Sequence, residues 1–170
     1  MKFVLVLHGE TNPDSSLTVT GRRQAQAAGA NLSAPYVTAT VISSPAAEAT
    51  EAAAIIGGAL GVEAPQTRTE LAAPLEGSPL TEHQEAAWAI IEAAKTDLDP
   101  DATLVMVTHD AVIRLLVCRA LGMPLQEMHR FALEPGSMTT IEWRTQPRER
   151  LLIASLNEVC HLETQTTTTG

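Results

Sequence analysis

The sequence predicts an α/β protein, a three-layer α/β/α sandwich around a mostly parallel central sheet. Residues 3–7 and 103–107 are short, continuous apolar runs, which is typical of strands buried on both faces. Long alanine-rich or amphipathic segments separate such runs. Strands that alternate with helices favour a parallel sheet covered by helices on both faces. The 170 residues, 45% of them hydrophobic, suffice for one domain with a substantial core.

The elements of the first half follow from residue type and from helix start and stop signals. After the strand at 3–7, we predict a loop at 12–16, a helix at 21–32 capped by a threonine, a β-branched strand at 38–42 and an alanine-rich helix at 45–60. Ser44 is expected to cap this last helix, with Pro45 at its first position, where a missing N–H costs nothing. The helix is expected to end near Gly61.

The second half continues the alternation of helices and strands. We predict a proline-rich loop over the site at 63–80, a helix at 81–96, a strand at 103–107, a helix at 111–121 and strands at 139–143 and 151–155. Gly122 and Pro124 end the apolar helix. The predicted domain covers 1–162, and 163–170 form a polar C-terminal tail.

Composition limits the partners. With 11 Lys and Arg against 20 Asp and Glu, the net charge is −9, which argues against nucleic acid and anionic membranes. Cys118 and Cys160 do not make a disulfide framework. No signal peptide or long apolar span is evident, so the predicted location is the cytoplasm. The expected partner is a small-molecule substrate. The sequence leaves open whether the protein forms a homodimer.

Two histidines directly follow buried strands. His8 comes after the run at 3–7, and His109 comes two residues after the run at 103–107. Sites in such sheets lie beyond the carboxyl ends of the strands. We therefore expect both imidazoles at the same edge of the sheet.

The motifs around these histidines carry a resemblance to a known family. LHGET at 7–11, ISSP at 42–45 and VTHDAVIR at 107–114 resemble, in order and spacing, motifs of the histidine phosphatase (phosphoglycerate mutase-like) superfamily. The resemblance covers nearly the whole chain. It implies that His8 is a nucleophile that forms a phosphohistidine, and that His109 stabilises the transferred phosphoryl group.

The resemblance also implies a general acid, and the residues in and around the motifs complete the predicted site. A glutamate of the proline-rich loop would protonate the leaving oxygen, and both Glu70 and Glu76 are candidates. The catalytic group predicted here is His8, His109, Glu48 and Glu10. The substrate-binding group is Leu7, Gly9, Asn12, Asp110 and Arg22.

This chain departs from the family signature at two positions. Leu7 and Glu48 stand where the signature that the chain resembles has arginines. A guanidinium matches phosphate oxygens and cannot lose its proton, and losing one such donor costs about 3–4 kcal/mol of transition-state stabilisation. Glu48 adds a negative charge where a phosphate dianion would bind. Arg22, Arg23, Arg68 and Arg114 are the cations that could replace the clamp.

Glu48 supports a different chemistry. A carboxylate that faces two imidazoles can hold one of them protonated and raise its pKa, which gives an acid–base pair near neutral pH. Two histidines and one carboxylate are also a ligand set for a divalent transition metal. Because the fold that the chain resembles needs no metal, we predict no metal and no cofactor.

Three functions follow. The first is an enzyme that uses His8 and His109, with Glu48, for acid–base chemistry on a small molecule, shifted away from the phosphohistidine route. The second is a phosphomonoesterase with a relocated phosphate clamp. The third is a non-catalytic binding or regulatory protein.

Overall fold

The protein is described by a computed structural model that covers residues 1–33 and 39–163. Its centre is a six-stranded sheet in the order β3-β2-β4-β1-β5-β6. The strands are β1 Lys2–Leu7, β2 Ala39–Ser43, β3 Gln66–Thr67, β4 Thr103–Thr108, β5 Met138–Arg144 and β6 Arg150–Glu158. The pairings among β3, β2, β4 and β1 are parallel, and β5 and β6 add two antiparallel pairings. The mostly parallel sheet is therefore confirmed.

Helices cover both faces of this sheet. They are α1 Val19–Leu32, α2 Ala47–Leu60, α3 Leu80–Asp97, α4 Asp110–Leu121 and a short α5 Cys160–Glu163. Helices α1 and α2 pack in one core cluster, and α3 and α4 pack in the other. The three-layer sandwich is confirmed. Position 38 of the predicted second strand and positions 164–170 of the predicted tail lie outside the described residues.

Residues 3–7 of strand β1 form an apolar run without a break, and the two core clusters explain why. Leu5 and Leu7 point into the cluster shared with α3 and α4, whereas Val4 and Val6 point into the cluster shared with α1 and α2. Neighbouring side chains of a strand lie on opposite faces. A strand between two helical layers therefore needs apolar residues at every position.

The start of α1 lies against the turn after β1. Thr18 caps the helix, and its hydroxyl accepts a hydrogen bond from the Gly21 N–H at 2.9 Å. A Cβ at Gly9 would collide with the Gly21 backbone, and a Cβ at Gly21 would collide with the Glu10 carbonyl. Two glycines are needed for this close approach. The helix begins at Val19, two residues before the predicted start.

The prediction for the start of α2 is wrong. The helix begins at Ala47 with Ala46 as its N-cap, and no side chain caps it. The Ser44 hydroxyl accepts a 3.3 Å hydrogen bond from the Ala46 N–H and bonds a histidine of the site. The predicted end is confirmed, because Gly61 adopts φ 72° and closes the helix.

The segment predicted as a loop at 63–80 contains short regular pieces. Strand β3 is followed by one 3₁₀ turn at Thr69–Leu71. The Thr108 hydroxyl at the end of β4 donates a 2.7 Å hydrogen bond to the Leu71 carbonyl, and both residues are buried. This bond ties the segment to the carboxyl end of β4. Within residues 1–33 and 39–163, none of the helices combines the length and the apolar character needed to cross a bilayer.

Candidate active site

The carboxyl ends of β1 and β4 bring two histidines together. The strands are parallel neighbours, and Leu7 pairs with Thr108 at their last positions. The next residue of each strand is a histidine, and the His8 N–H donates to the Thr108 carbonyl at 3.2 Å. The rings of His8 and His109 lie edge to face, with centroids 5.2 Å apart and planes at 72°. The expectation of one shared edge is confirmed.

Backbone contacts fix the half-buried His8. Its ring Nδ1 lies 3.0 Å from the Gly9 carbonyl oxygen, which accepts a hydrogen bond from the Nδ1–H tautomer. The His8 carbonyl accepts a 3.2 Å hydrogen bond from the Gly136 N–H. In this arrangement Nε2 of His8 keeps its lone pair for the pocket.

A serine holds the buried His109. Ring Nε2 and Ser44 Oγ are 2.9 Å apart, and Ser44 is fully buried. Ser44 follows β2, whose neighbour is β4, and its N–H donates to the Val107 carbonyl at 2.9 Å. Sequence analysis assigned Ser44 to a helix cap and missed this contact. The position of Ser44 directly after β2 could have indicated this contact, because His8 and His109 also come directly after strands.

Glu48 faces the pair from the first turn of α2. Its Oε1 lies 3.9 Å from Nδ1 of His109, and the two side chains are 13% and 11% exposed. One ligand atom from each of His8, Glu48 and His109 lies within 4.8 Å of the other two. The structure thus brings three of the four predicted catalytic residues together in a small, largely buried polar cluster.

The electrostatics of His109 differ from the prediction. Burial lowers the pKa of His109 below its usual value near 6.5, and the neighbouring His8 lowers it further. Glu48 and then Asp110 act in the opposite direction, but they do not reverse the shift. The prediction that Glu48 would leave a facing imidazole with a raised pKa is therefore wrong for His109. A lowered pKa favours the neutral ring, which suits a proton acceptor.

The other predicted residues next to His8 have mainly local contacts. Leu7 is 6% exposed and belongs to the core. Glu10 is exposed, and its backbone bonds Gln24 and Thr18. The Asn12 amide donates to Ser16 Oγ at 3.0 Å. These contacts shape the turn after β1 and hold it to α1.

Asp110 adjoins the cluster, whereas the two candidate loop acids have other surroundings. The Asp110 carboxylate accepts from the Ala111 N–H at 2.6 Å, so it stabilises the start of α4. Glu70 accepts a 3.4 Å hydrogen bond from Thr69 and lines a cavity with Arg68. Glu76 is exposed in the loop before α3. The charged groups that act on His109 include neither loop glutamate.

Three of the four candidate replacement cations are engaged with other side chains, and the fourth, Arg23, is exposed on α1. Arg22 pairs with Glu51 at 2.6 Å, and Arg68 donates to Gln66 at 2.9 Å. Arg114 lies 3.2 Å from His129 Nδ1 and 3.5 Å from Asp110. No arginine is among the groups that shift the pKa of His109 in the described part of the chain.

Solved structures share this fold. The chain superposes on YhfR from Bacillus stearothermophilus with a TM-score of 0.77 and 22% identity, covering 95% of this chain and 98% of the other. Phosphoserine phosphatase from Entamoeba histolytica, in complex with 3-phosphoglyceric acid, superposes with a TM-score of 0.79 and 20% identity. The match again covers 95% of this chain and 98% of the other. A mycobacterial glucosyl-3-phosphoglycerate phosphatase superposes with a TM-score of 0.77 and 19% identity, covering 92% of this chain and 99% of the other.

A family model connects the sequence to this fold. No curated protein sequence matches the chain. The model of the histidine phosphatase superfamily (branch 1) matches residues 4–73 and 63–155. These segments contain His8, Ser44, Glu48 and His109, and they cover most of the chain. The chain therefore belongs to the histidine phosphatase superfamily.

Proposed function

We propose that this protein is an enzyme that acts on a small molecule with His8 and His109 by acid–base chemistry, without a phosphohistidine intermediate. The observation that carries the proposal is the Glu48 carboxylate, whose Oε1 lies 3.9 Å from Nδ1 of His109. A negative group occupies the pocket where phosphoryl transfer needs positive charge.

Charge opposes phosphate binding in this pocket. Two like unit charges about 4 Å apart repel by about 4 kcal/mol at the dielectric screening typical near a protein surface. Glu48 would exert such a repulsion on an anionic oxygen bound beside His109. Arg22, Arg68 and Arg114, which could offset it, contact other side chains.

The imidazole pair suits proton transfer. The lowered pKa of His109 keeps its ring neutral, so that it can accept a proton at neutral pH. Ser44 orients the ring through Nε2, which leaves Nδ1 towards Glu48. His8 stands edge to face beside it and can exchange a proton with the other side of a bound substrate. Glu48 would stabilise the imidazolium that forms when His109 takes up the proton.

A phosphomonoesterase is the second candidate. It is favoured by the structural neighbours named as a phosphoserine phosphatase and a glucosyl-3-phosphoglycerate phosphatase. In this function His8 would attack phosphorus, and an arginine would have to leave its present partner to bind the phosphate. The substrate class would then be a small phosphorylated acid. A non-catalytic binding protein is the third candidate.

The double substitution Leu7→Arg with Glu48→Arg separates the first two functions. We expect the wild-type protein to hydrolyse neither p-nitrophenyl phosphate nor phosphoserine above the background of His8→Ala. The double variant should gain hydrolysis and a phosphohistidine that survives denaturation in alkali. A phosphorylated His8 in the wild-type protein would disprove the acid–base proposal.

Folding of the double variant needs its own control. Leu7 lies in the core, so an arginine there must keep its stem buried and extend its guanidinium to the pocket. Circular dichroism and the single variant Glu48→Arg show whether a loss of activity is a loss of fold.

Consumption of small molecules from a cell extract, followed by mass spectrometry, tests whether the protein is an enzyme at all. We expect at least one compound to disappear with the wild-type protein and to persist with His8→Ala and with His109→Ala. Turnover that survives both substitutions would overturn the proposal. An extract unchanged by the wild-type protein would favour the non-catalytic function. The cytoplasmic location and the homodimer stay predictions.

A further inference from the structure

We propose that His8, His109 and Glu48 form a binding site for one divalent transition-metal ion of the zinc type. The cluster is the same one that the acid–base proposal uses, but the inference concerns binding and is tested without substrate. Sequence analysis predicted no metal, because the fold that the chain resembles needs none and the ligand geometry was not known. The arrangement of the side chains now supports a site.

The distances suit a small ion. One ligand atom from each of the three side chains lies within 4.8 Å of the other two, and Nδ1 of His109 is 3.9 Å from Glu48 Oε1. Zinc–nitrogen and zinc–oxygen bonds of about 2.0–2.2 Å separate the ligand atoms of a tetrahedral site by about 3.4 Å. A modest rotation of the side chains therefore closes the cluster around an ion.

Outer hydrogen bonds prepare both rings as ligands. Metal-binding histidines almost always bond their second ring nitrogen to a carbonyl, carboxylate or water, which fixes the tautomer and the orientation. Nδ1 of His8 has the Gly9 carbonyl 3.0 Å away, and Nε2 of His109 has Ser44 Oγ 2.9 Å away. The nitrogens left over are Nε2 of His8 and Nδ1 of His109. The latter is the nitrogen that faces Glu48.

The ligand set selects the class of ion. Imidazole suits zinc, copper, iron and nickel, whereas magnesium and calcium prefer oxygen ligands. The cluster offers two nitrogens and one carboxylate. The carboxylate offsets part of the charge of the ion in a site where Glu48 and His109 are mostly buried. Three protein ligands leave a coordination position for water or substrate.

Ion-bound and ion-free protein are two states of one pocket. A bound ion coordinates the imidazole lone pairs that acid–base chemistry would use, so each state excludes the other. A binding experiment on the metal-free chain therefore tests the site by itself. The result does not depend on whether a substrate has been found.

Titration of the full chain with Co²⁺, followed by its visible absorption, and with Zn²⁺, followed by calorimetry, tests the site. We expect one ion per chain, no displacement by Mg²⁺, and loss of binding in His109→Ala. Glu48→Gln should weaken binding at least tenfold. Ser44→Ala, which removes only the outer contact, should weaken it by about 10- to 100-fold.

Matched controls lie on α3. His83 and the exposed Glu85 are outside the cluster, so His83→Ala and Glu85→Gln should bind Co²⁺ as the wild type does. The inference is overturned if millimolar Co²⁺ leaves the wild type without absorption bands, or if Glu48→Gln binds with unchanged affinity. It is also overturned if Cys160→Ser, on the short helix α5, abolishes binding. Failure to bind an ion while His109→Ala still abolishes turnover would overturn this inference alone and leave the proposed function standing.

Discussion

The molecule contains two histidine–glutamate pairs with different arrangements. In the pocket, Nδ1 of His109 stands 3.9 Å from Glu48. Near the C-terminus, Nδ1 of His161 lies 3.2 Å from Glu158, and its Nε2 lies 2.9 Å from the Gly136 carbonyl. Both rings are buried. One pair is a closed hydrogen-bonded unit, and the other leaves a ring nitrogen facing a carboxylate beyond hydrogen-bond distance.

The difference separates a histidine that is bonded on both sides from one that keeps a ring nitrogen facing the pocket. Both ring nitrogens of His161 lie within hydrogen-bond distance of acceptor oxygens, so its ring is fixed on both sides. It holds Gly136, whose N–H in turn bonds the His8 carbonyl. His109 is fixed through one nitrogen only, and its other nitrogen faces the pocket. The structural pair thus supports the turn that carries His8.

The largest effect is expected from removing the pocket histidines. His109→Ala and His8→Ala should each lower kcat/KM on the natural substrate by about 10²- to 10⁴-fold, the range typical of a general acid or base. Because the His8 ring is only half-buried, His8→Ala should change the free energy of unfolding little, whereas His109→Ala also leaves the buried Ser44 hydroxyl without this partner. Steady-state kinetics and urea unfolding measure the two quantities. A kcat/KM within threefold of wild type would contradict the assigned role.

His161→Ala should show the opposite pattern. It leaves the Gly136 carbonyl and the Glu158 carboxylate without the ring, and an unpaired buried polar group costs about 1–3 kcal/mol. We therefore expect the free energy of unfolding to fall by about that amount, with a smaller loss of kcat/KM than in His109→Ala. Chemical unfolding compares the variants. Equal losses of stability in His161→Ala and His8→Ala would remove the distinction.

The sequence predicts the fold and the histidine pair because both depend on local patterns. In residues 3–7 of β1 and 104–107 of β4, apolar residues at every position indicate burial on both faces. A histidine after each strand then lies at the same edge, since parallel neighbours end together. The starts of helices were less predictable. Ser44 has the residue type of a cap, but the neighbouring β4 places it against His109 instead.

The rest of the site depends on contacts between distant segments. The downward shift in the pKa of His109 comes first from burial, which depends on how α2 and the turn after β1 close around the ring. No local motif marks Gly136 as the link between His161 and His8, because these residues come from widely separated parts of the chain. Residue types thus identified the pocket, and packing determined its electrostatics.

Ser44→Ala should have an intermediate effect. It removes the hydrogen bond to Nε2 of His109 and frees the ring to turn, so kcat/KM should fall about tenfold, equivalent to about 1.4 kcal/mol. Ser137→Ala is the matched control, because Ser137 Oγ is buried without a hydrogen-bond partner among the described residues. Removing such a hydroxyl leaves nothing unpaired. The same loss of kcat/KM in both variants would show that Ser44 acts only through packing.

The smallest effects concern the pKa of His109, and their signs can be measured without a substrate. Because burial and His8 lower this pKa while Glu48 and Asp110 raise it, His8→Ala should raise it. Glu48→Gln should lower it further, and Asp110→Asn should lower it by less. NMR titration of the imidazole C–H resonances measures each shift, and a rise in Glu48→Gln would contradict the assignment.

The same shift makes the stability of the fold depend on pH. Since the unfolded chain binds the proton of His109 more readily than the folded chain does, the free energy of unfolding should fall as the pH drops below about 6.5, and level off once the folded ring is protonated too. Above that pH His109 is unprotonated in both the folded and the unfolded chain, so it no longer changes the free energy of unfolding with pH. His109→Ala should remove this part of the pH dependence, whereas the exposed His129 offers a control in His129→Ala. Urea unfolding at several pH values between neutral and mildly acidic conditions compares the variants, and an unchanged slope in His109→Ala would mean that another group carries the dependence.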